Sequence, residues 1–135
     1  MGVKWGVSAW FHDAGLSVIK DNQIVFAAHA ERYSGKKHDK FLNKKIIKEA
    51  LTFGKPKHIA WYEKPWKKNL RKLWSGEWKY SPMDKHPKEY MQSFGIKAPI
   101  TLYDHHYTHA TAGYYTSPFK NACIVVADAI GEFET

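Results

Sequence analysis

Apolar and polar residues alternate from Val3 to Trp10 (VKWGVSAW), again from Leu16 to Lys20 (LSVIK), and a third such run covers Gln23 to Ala30 (QIVFAAHA). A period of two predicts half-buried strands. Asp21-Asn22 between the second and third runs is a hairpin signal, since both residue types tolerate left-handed backbone. The chain therefore opens as a β-meander, and its first loop, FHDAG, carries His12 and Asp13. The period then lengthens. Leu42, Ile46, Ala50 and Phe53, with Phe41, Ile47 and Leu51 beside them, predict an amphipathic helix over Phe41–Phe53. Gly54 and Pro56 stop it. His58 to Tyr62 (HIAWY) is a fourth strand, and a strand after a helix suggests a βαβ unit in a sheet with helices on its faces.

The second half is less regular. Lys64 to Ala98 holds Pro65, Pro82 and Pro87, which predicts short helices and loops, with one helix over Pro87–Phe94. Ile100–Tyr103 is a short strand, and Asp104 is an N-cap candidate for a helix from His105 to Tyr115. Small residues Ala110, Thr111, Ala112 and Gly113 would let that helix pack closely. Ala122–Ala127 (ACIVVA) is the longest apolar run and predicts a fully buried strand ending at Asp128, with Cys123 inert inside it. No internal repeat or flexible linker is evident. The result is an α/β chain whose parallel or mixed sheet, with about two helices, amounts to a half-built domain.

Composition narrows the class. The chain has 135 residues, enough for a single core, and one cysteine, which excludes a disulfide-stapled scaffold. An apolar run of six residues is far short of the roughly 20 that a membrane-spanning helix needs. The first 30 residues contain Asp13, Lys20 and Asp21 and do not read as a signal peptide, so the expected compartment is the cytoplasm. The net charge of +8 is concentrated: residues 36–88 hold 16 Lys/Arg against five acids. Trp61, Trp66, Trp74, Trp78 and Tyr80 interleave with these lysines, a composition also found on single-strand nucleic-acid surfaces. No nucleic-acid motif accompanies it, so the plainer expectation is a solvated Lys-rich insertion whose tryptophans pack on the domain. A basic rim could equally attract an anionic small substrate.

Three groups could carry chemistry. In Asp104-His105-His106-Tyr107-Thr108-His109, His105 and His109 are four apart and share one helix face, the spacing at which two imidazoles can ligate one metal. His106 lies about 100° away and does not share that metal. Asp128, at a strand end, is a sensible carboxylate third ligand, and two His plus a carboxylate suit Fe(II) or Zn(II). Alternatively, the three histidines are ordinary surface or core residues. His12-Asp13 could be an oriented acid/base or an anion contact, or simply a turn. Lys36-Lys37-His38-Asp39-Lys40 could hold phosphate, or be a solvated loop. Neither GxxxxGK[ST] nor GxGxxG occurs.

The series FHDAG, AERYSGKKHDKF, YEKP, HHYTHATAGYYTSPF and VADAIGEFET resembles the N-terminal region of the O-carbamoyltransferases of nodulation-factor and antibiotic tailoring. The likeness runs over essentially the whole chain and is weakest from about Trp66 to Ala98. It implies an actin-like ATPase (ribonuclease H-like) fold, N-terminal half, close to the enzymes of threonylcarbamoyl-adenosine formation on tRNA. Residues 1–135 would be the N-terminal part of that domain, with 64–98 a variable basic and aromatic insertion. In such enzymes a YrdC-like domain makes carbamoyl-adenylate from carbamoyl phosphate and ATP, and the actin-like domain transfers the carbamoyl group to a hydroxyl-bearing small molecule. The resemblance implies an iron site with His105, His109 and Asp128 as ligands, His12 near the transferred group, and Lys37 near the nucleotide end. The family pattern commonly reads DGxGE where this chain has Asp128-Ala129-Ile130-Gly131-Glu132. A further ligand, the second half of the domain and the YrdC-like domain would lie outside these residues, so the chain is expected to be inactive alone, a fragment or a piece completed by another polypeptide. The competing expectations are a non-catalytic metal- or anion-binding module and a basic RNA-binding protein; no membrane partner is expected, and nucleic acid is disfavoured.

Overall fold

A computed structural model describes residues 2–76, 79 and 86–128. Trp78, Tyr80 and Pro82, and the departure at residues 129–132, lie outside them. The described residues fall into two compact units, residues 1–61 with 85–102, and residues 62–84 with 103–135.

The first unit is built on five strands: β1 (Lys4–Ser8), β2 (Gly15–Lys20), β3 (Gln23–His29), β4 (His58–Trp61) and β5 (Ile100–Leu102). The sheet order is β3-β2-β1-β4-β5. The meander β1-β2-β3 is antiparallel, and β1-β4 and β4-β5 are parallel. Asp21 and Asn22 both take positive φ, 50° and 61°, as the tight hairpin requires. Alternation puts one face in the core: Trp5 lies opposite Val18 and Ile59, Val7 opposite Leu16 and Trp61, and all six are buried.

Three helices belong to this unit: α1 (Glu31–Ser34), α2 (Lys44–Thr52) and, further along the chain, α4 (Pro87–Ser93). The helix expected over Phe41–Phe53 starts three residues late, because Asn43 caps it by accepting from the amides of Lys45 and Ile46. Ile46, Ile47 and Ala50 are its buried residues. Gly54 ends it at φ 130°, where a Cβ would meet Val3 Cγ2 at 2.8 Å. Tyr90 of α4 receives the Leu42 amide at 2.8 Å and packs edge-on against Trp10 and Trp61. Burial pushes the Tyr90 hydroxyl up to about 12.

The second unit contains α3 (Pro65–Ser75) and α5 (His105–Tyr115). The bounds of α5 are those its sequence predicts. Two expectations fail here. The lysines of α3 are not a solvated face: Lys68 and Lys72 are 6% and 5% exposed, and Lys68 pairs with the buried Glu63 at 3.2 Å. Trp66, Leu70, Leu73 and Trp74 are instead exposed, Trp74 to 88%. Position on a helix says which residues share a side; which side is covered depends on where acids such as Glu63 and Asp104 fall in space. Second, Ala122–Ala127 is not a buried strand. It has no regular secondary structure, Val125 is 85% exposed, and Cys123 is exposed rather than sequestered. An apolar run becomes a strand only with a ladder to join, and among the described residues it has none. Of the small residues of α5, Ala112 and Gly113 are exposed, and a Cβ on Gly113 would meet nothing within 4 Å.

Replacing Asn43 by Ala is expected to cost about 1 kcal/mol of stability through loss of the cap. Urea unfolding read by far-UV circular dichroism checks this; an unchanged midpoint would mean that α2 does not depend on Asn43.

Candidate functional site

The first cluster sits at the C-terminal end of β1. Trp10 and Asp13 both have left-handed backbone, at φ 76° and 56°, and so does His38, at 55°. Such angles are uncommon outside glycine and rare for a residue as bulky as Trp. Two backbone bonds hold them, from the Trp10 amide to the Lys40 carbonyl and from the Ala14 amide to the Asp39 carbonyl, each 2.8 Å. This clasp brings the FHDAG loop against the KKHDK loop. Asp13 then lies between two rings, with Oδ2 at 2.7 Å from His12 Nδ1 and Oδ1 at 3.1 Å from His38 Nδ1. The His12 hydrogen bond first, and then that of His38, holds the Asp13 carboxyl below its usual range. Lys37 and Lys36 line a shallow groove of about 580 Å³ beside Asp13 and His38, together with Arg32 and Glu31. Lys37 therefore lines the groove beside Asp13, and His12, which is bonded to Asp13, is not itself among the lining residues. The sequence points to His38 only as part of the KKHDK loop; its link to Asp13 is not legible there, since 25 positions separate the two and no local motif joins them.

Asp39 anchors the second loop. It is 8% exposed, its Oδ1 accepts the Phe41 amide at 3.1 Å, and a hydrogen bond from Ser34 is the main cause that holds its carboxyl below the usual range.

The second cluster belongs to the other unit. His105 Nε2 lies 2.8 Å from Asp128 Oδ2 and 3.1 Å from His109 Nε2, and His109 Nε2 is 3.6 Å from the same carboxylate oxygen. The three donor atoms lie within 4.8 Å of one another. Bonds of about 2.0–2.2 Å to a tetrahedral metal would separate its ligand atoms by about 3.4 Å. The observed separations bracket that value, so the residues fit a divalent ion with adjustments of a few tenths of an ångström. His105 Nδ1 is buried and has no hydrogen-bond partner among the described residues. The His106 ring, 6.0 Å from that of His105, is not part of the trio.

Asp104 occupies the N-cap position of α5 but its side chain caps nothing. Lys64, the N-cap residue of α3, and Lys67, in its first turn, take its two oxygens at 2.5 and 2.7 Å and hold its carboxyl below the usual range. Thr108 adds a second tie, its hydroxyl lying 3.2 Å from the Tyr62 carbonyl. These contacts anchor the start of the helix that carries both histidines.

One comparison bears on the first cluster. Residues 4–62 match the family described as carbamoyltransferase N-terminus. The matched segment contains His12, Asp13, Lys37 and His38 but stops short of His105, His109 and Asp128. The chain is also 26% identical over 159 aligned residues to Uncharacterized protein sll1178 of Synechocystis sp., an alignment that takes in 96% of this chain. The chain spans about a quarter of the length of that relative. No described helix is long and apolar enough to cross a membrane.

Because the Asp39 carboxyl has its pKa depressed in the fold, it stabilises the protein above the unfolded value of about 3.9, and that contribution disappears as pH falls through the lower folded value. The Asp39→Asn protein is expected to be less stable than wild type at neutral pH and to lose less stability on acidification below about pH 4. Urea midpoints measured across that interval decide; parallel pH profiles would show that Asp39 is not the anchor.

Proposed function

We propose that the chain is the N-terminal portion of a carbamoyltransferase that moves a carbamoyl group from carbamoyl-adenylate, made from carbamoyl phosphate and ATP, to a hydroxyl-bearing small molecule. The observation that carries this reading is the match of residues 4–62 to the carbamoyltransferase N-terminus family, a segment in which Asp13 is bonded to His12 and shares a groove with Lys37. The sheet β3-β2-β1-β4-β5, antiparallel in its meander and parallel beyond it, supports the actin-like, ribonuclease H-like fold for residues 1–135. The aromatic and basic stretch 64–98 is read as a variable insertion in that domain.

His12 donates from Nδ1 to Asp13, which leaves Nε2 as the proton acceptor. In the proposed step the acceptor hydroxyl loses its proton to His12 Nε2 while its oxygen bonds to the carbamoyl carbon. The bond from that carbon to the adenylate phosphate oxygen breaks, and AMP leaves with the electron pair. Lys37, with Lys36 and Arg32 along the same groove, offsets the negative charge of the phosphate. His105, His109 and Asp128 would hold a divalent metal, with Fe(II) the ion that a two-His, one-carboxylate set favours. Bound there, the ion supplies Lewis-acid polarisation of an oxygen ligand. The remaining parts of the activity are assigned to polypeptide beyond the quarter of the relative that this chain spans.

The test is carbamoyl transfer from isotope-labelled carbamoyl phosphate, with ATP, to a panel of hydroxyl acceptors by the chain joined to the part of the Synechocystis relative that lies outside its match. His12→Gln is expected to lower turnover by about 10²–10⁴. Retained turnover in that variant would remove His12 from the chemistry, and no transfer to any acceptor would overturn the reaction class. Separately, equilibrium dialysis of the 135-residue chain against Fe(II), under anaerobic conditions, is expected to give one ion per chain in wild type and none in His105→Ala or Asp128→Ala. Equal metal content in all three would sink the metal reading while leaving the transfer reading to its own test.

A further inference from the structure

Asp13 is bracketed by two imidazoles, one on each oxygen, each through its Nδ1. An ionised carboxylate can only accept hydrogen bonds. Both rings must therefore donate from Nδ1, and when neutral each keeps its lone pair on Nε2. The hydrogen bonds from His12 and His38 lower the Asp13 pKa, so the carboxylate is the form present at neutral pH. The side chains of His12 and His38 are 59% and 61% exposed, while that of Asp13 is 29% exposed. The carboxylate is the more sheltered member, and the rings lean out from it edge to face, with centroids 6.3 Å apart.

We infer that His12, Asp13 and His38 form one proton-handling unit, in which Asp13 is a positioning residue that sets the tautomer of both rings and His38 is a second proton-accepting group beside His12. The inference rests on the reading of His12 as the group that takes the acceptor's proton. A purely structural role for the bridge explains less. The two loops are already clasped by the Trp10–Lys40 and Ala14–Asp39 backbone bonds, and His38 is further tied by its own amide, 3.3 Å from Glu31 Oε2. Left-handed backbone at both Asp13 and His38 places the two side chains so that they meet, and such strain gathers where geometry serves a site. His38 also lines the groove that carries Lys36, Lys37 and Arg32, so a base there faces the same anion as those cations.

The test reads the rings directly. Long-range proton–nitrogen spectra of the 135-residue chain, taken about 1.5 pH units above the ordinary imidazole value of about 6.5, report which ring nitrogen carries hydrogen. Wild type is expected to show Nδ1–H for both His12 and His38, assigned with His12→Gln and His38→Gln. In Asp13→Asn the amide offers one acceptor oxygen and one NH₂ donor, so one ring keeps Nδ1–H and the other turns to Nε2–H. His58, whose Nε2 lies 3.0 Å from the Thr101 hydroxyl, is the internal control and should not change. Nε2–H on either ring in wild type, or tautomers indifferent to Asp13→Asn, overturns the positioning role. Should Asp13→Asn fail to fold, the wild-type tautomers still decide that role. In the transfer assay His38→Gln is expected to lower turnover about 100-fold; full activity there removes His38 as a proton acceptor. Neither ring readout needs transfer, so failure of the unit and failure of the carbamoyltransferase reading are told apart.

Discussion

The position of β1 constrains everything in the first unit. It pairs antiparallel with β2 on one side and parallel with β4 on the other. Its two inward residues, Trp5 and Val7, are each flanked by buried partners on both neighbouring strands. A slip of one residue would turn that row to solvent, so the register is strongly held. The parallel β1–β4 pairing obliges the chain to cross over through α2, and the antiparallel β1–β2 pairing obliges it to turn at once at the other end. The turn is the FHDAG loop. His12 and Asp13 are thus delivered to the C-terminal end of the central strand, where open α/β sheets bind ligands.

Rigidity is supplied around that loop rather than within it. Trp10 is tilted against Trp61, a buried residue of β4, and meets Tyr90 edge-on. Tyr90 in turn receives the Leu42 amide from the segment that leads into α2. The loop is therefore built on aromatic packing, which has a preferred geometry. In the second unit the equivalent work is electrostatic. Lys64, just before α3, and Lys67, in its first turn, grip Asp104, and Thr108 reaches the Tyr62 carbonyl, so the first turn of α5 is fixed where His105 projects toward Asp128.

Much of this was legible in the residues. Alternation marked the meander, Asp21-Asn22 marked its hairpin, and the helix over His105–Tyr115 has the bounds its sequence predicts. Spacing alone put His105 and His109 on one face, and Asp128 does lie beside them. What failed has a common cause. Periodicity reports which residues share a side, not what stands opposite. So α3 hides Lys68, paired with Glu63, and Lys72, and shows Trp66 and Trp74, and among the described residues the apolar run at 122–127 lacks a ladder to join. Asp104 has the residue type and place of a cap, but two lysines 40 and 37 residues away claim its side chain. The sequence shows His38 only within the KKHDK loop and not beside Asp13 for the same reason, since the two are distant in sequence and near only once the loops are clasped.

The convergence of His105, His109 and Asp128 is the claim on which the second cluster stands. X-ray absorption at the iron edge of the Fe(II)-loaded chain tests it most directly. The expected spectrum shows first-shell nitrogen and oxygen scatterers together with the outer-shell pattern of two imidazole rings, reduced to one ring in His109→Gln. An all-oxygen shell without imidazole scattering, or a spectrum that His109→Gln leaves unaltered, would contradict it.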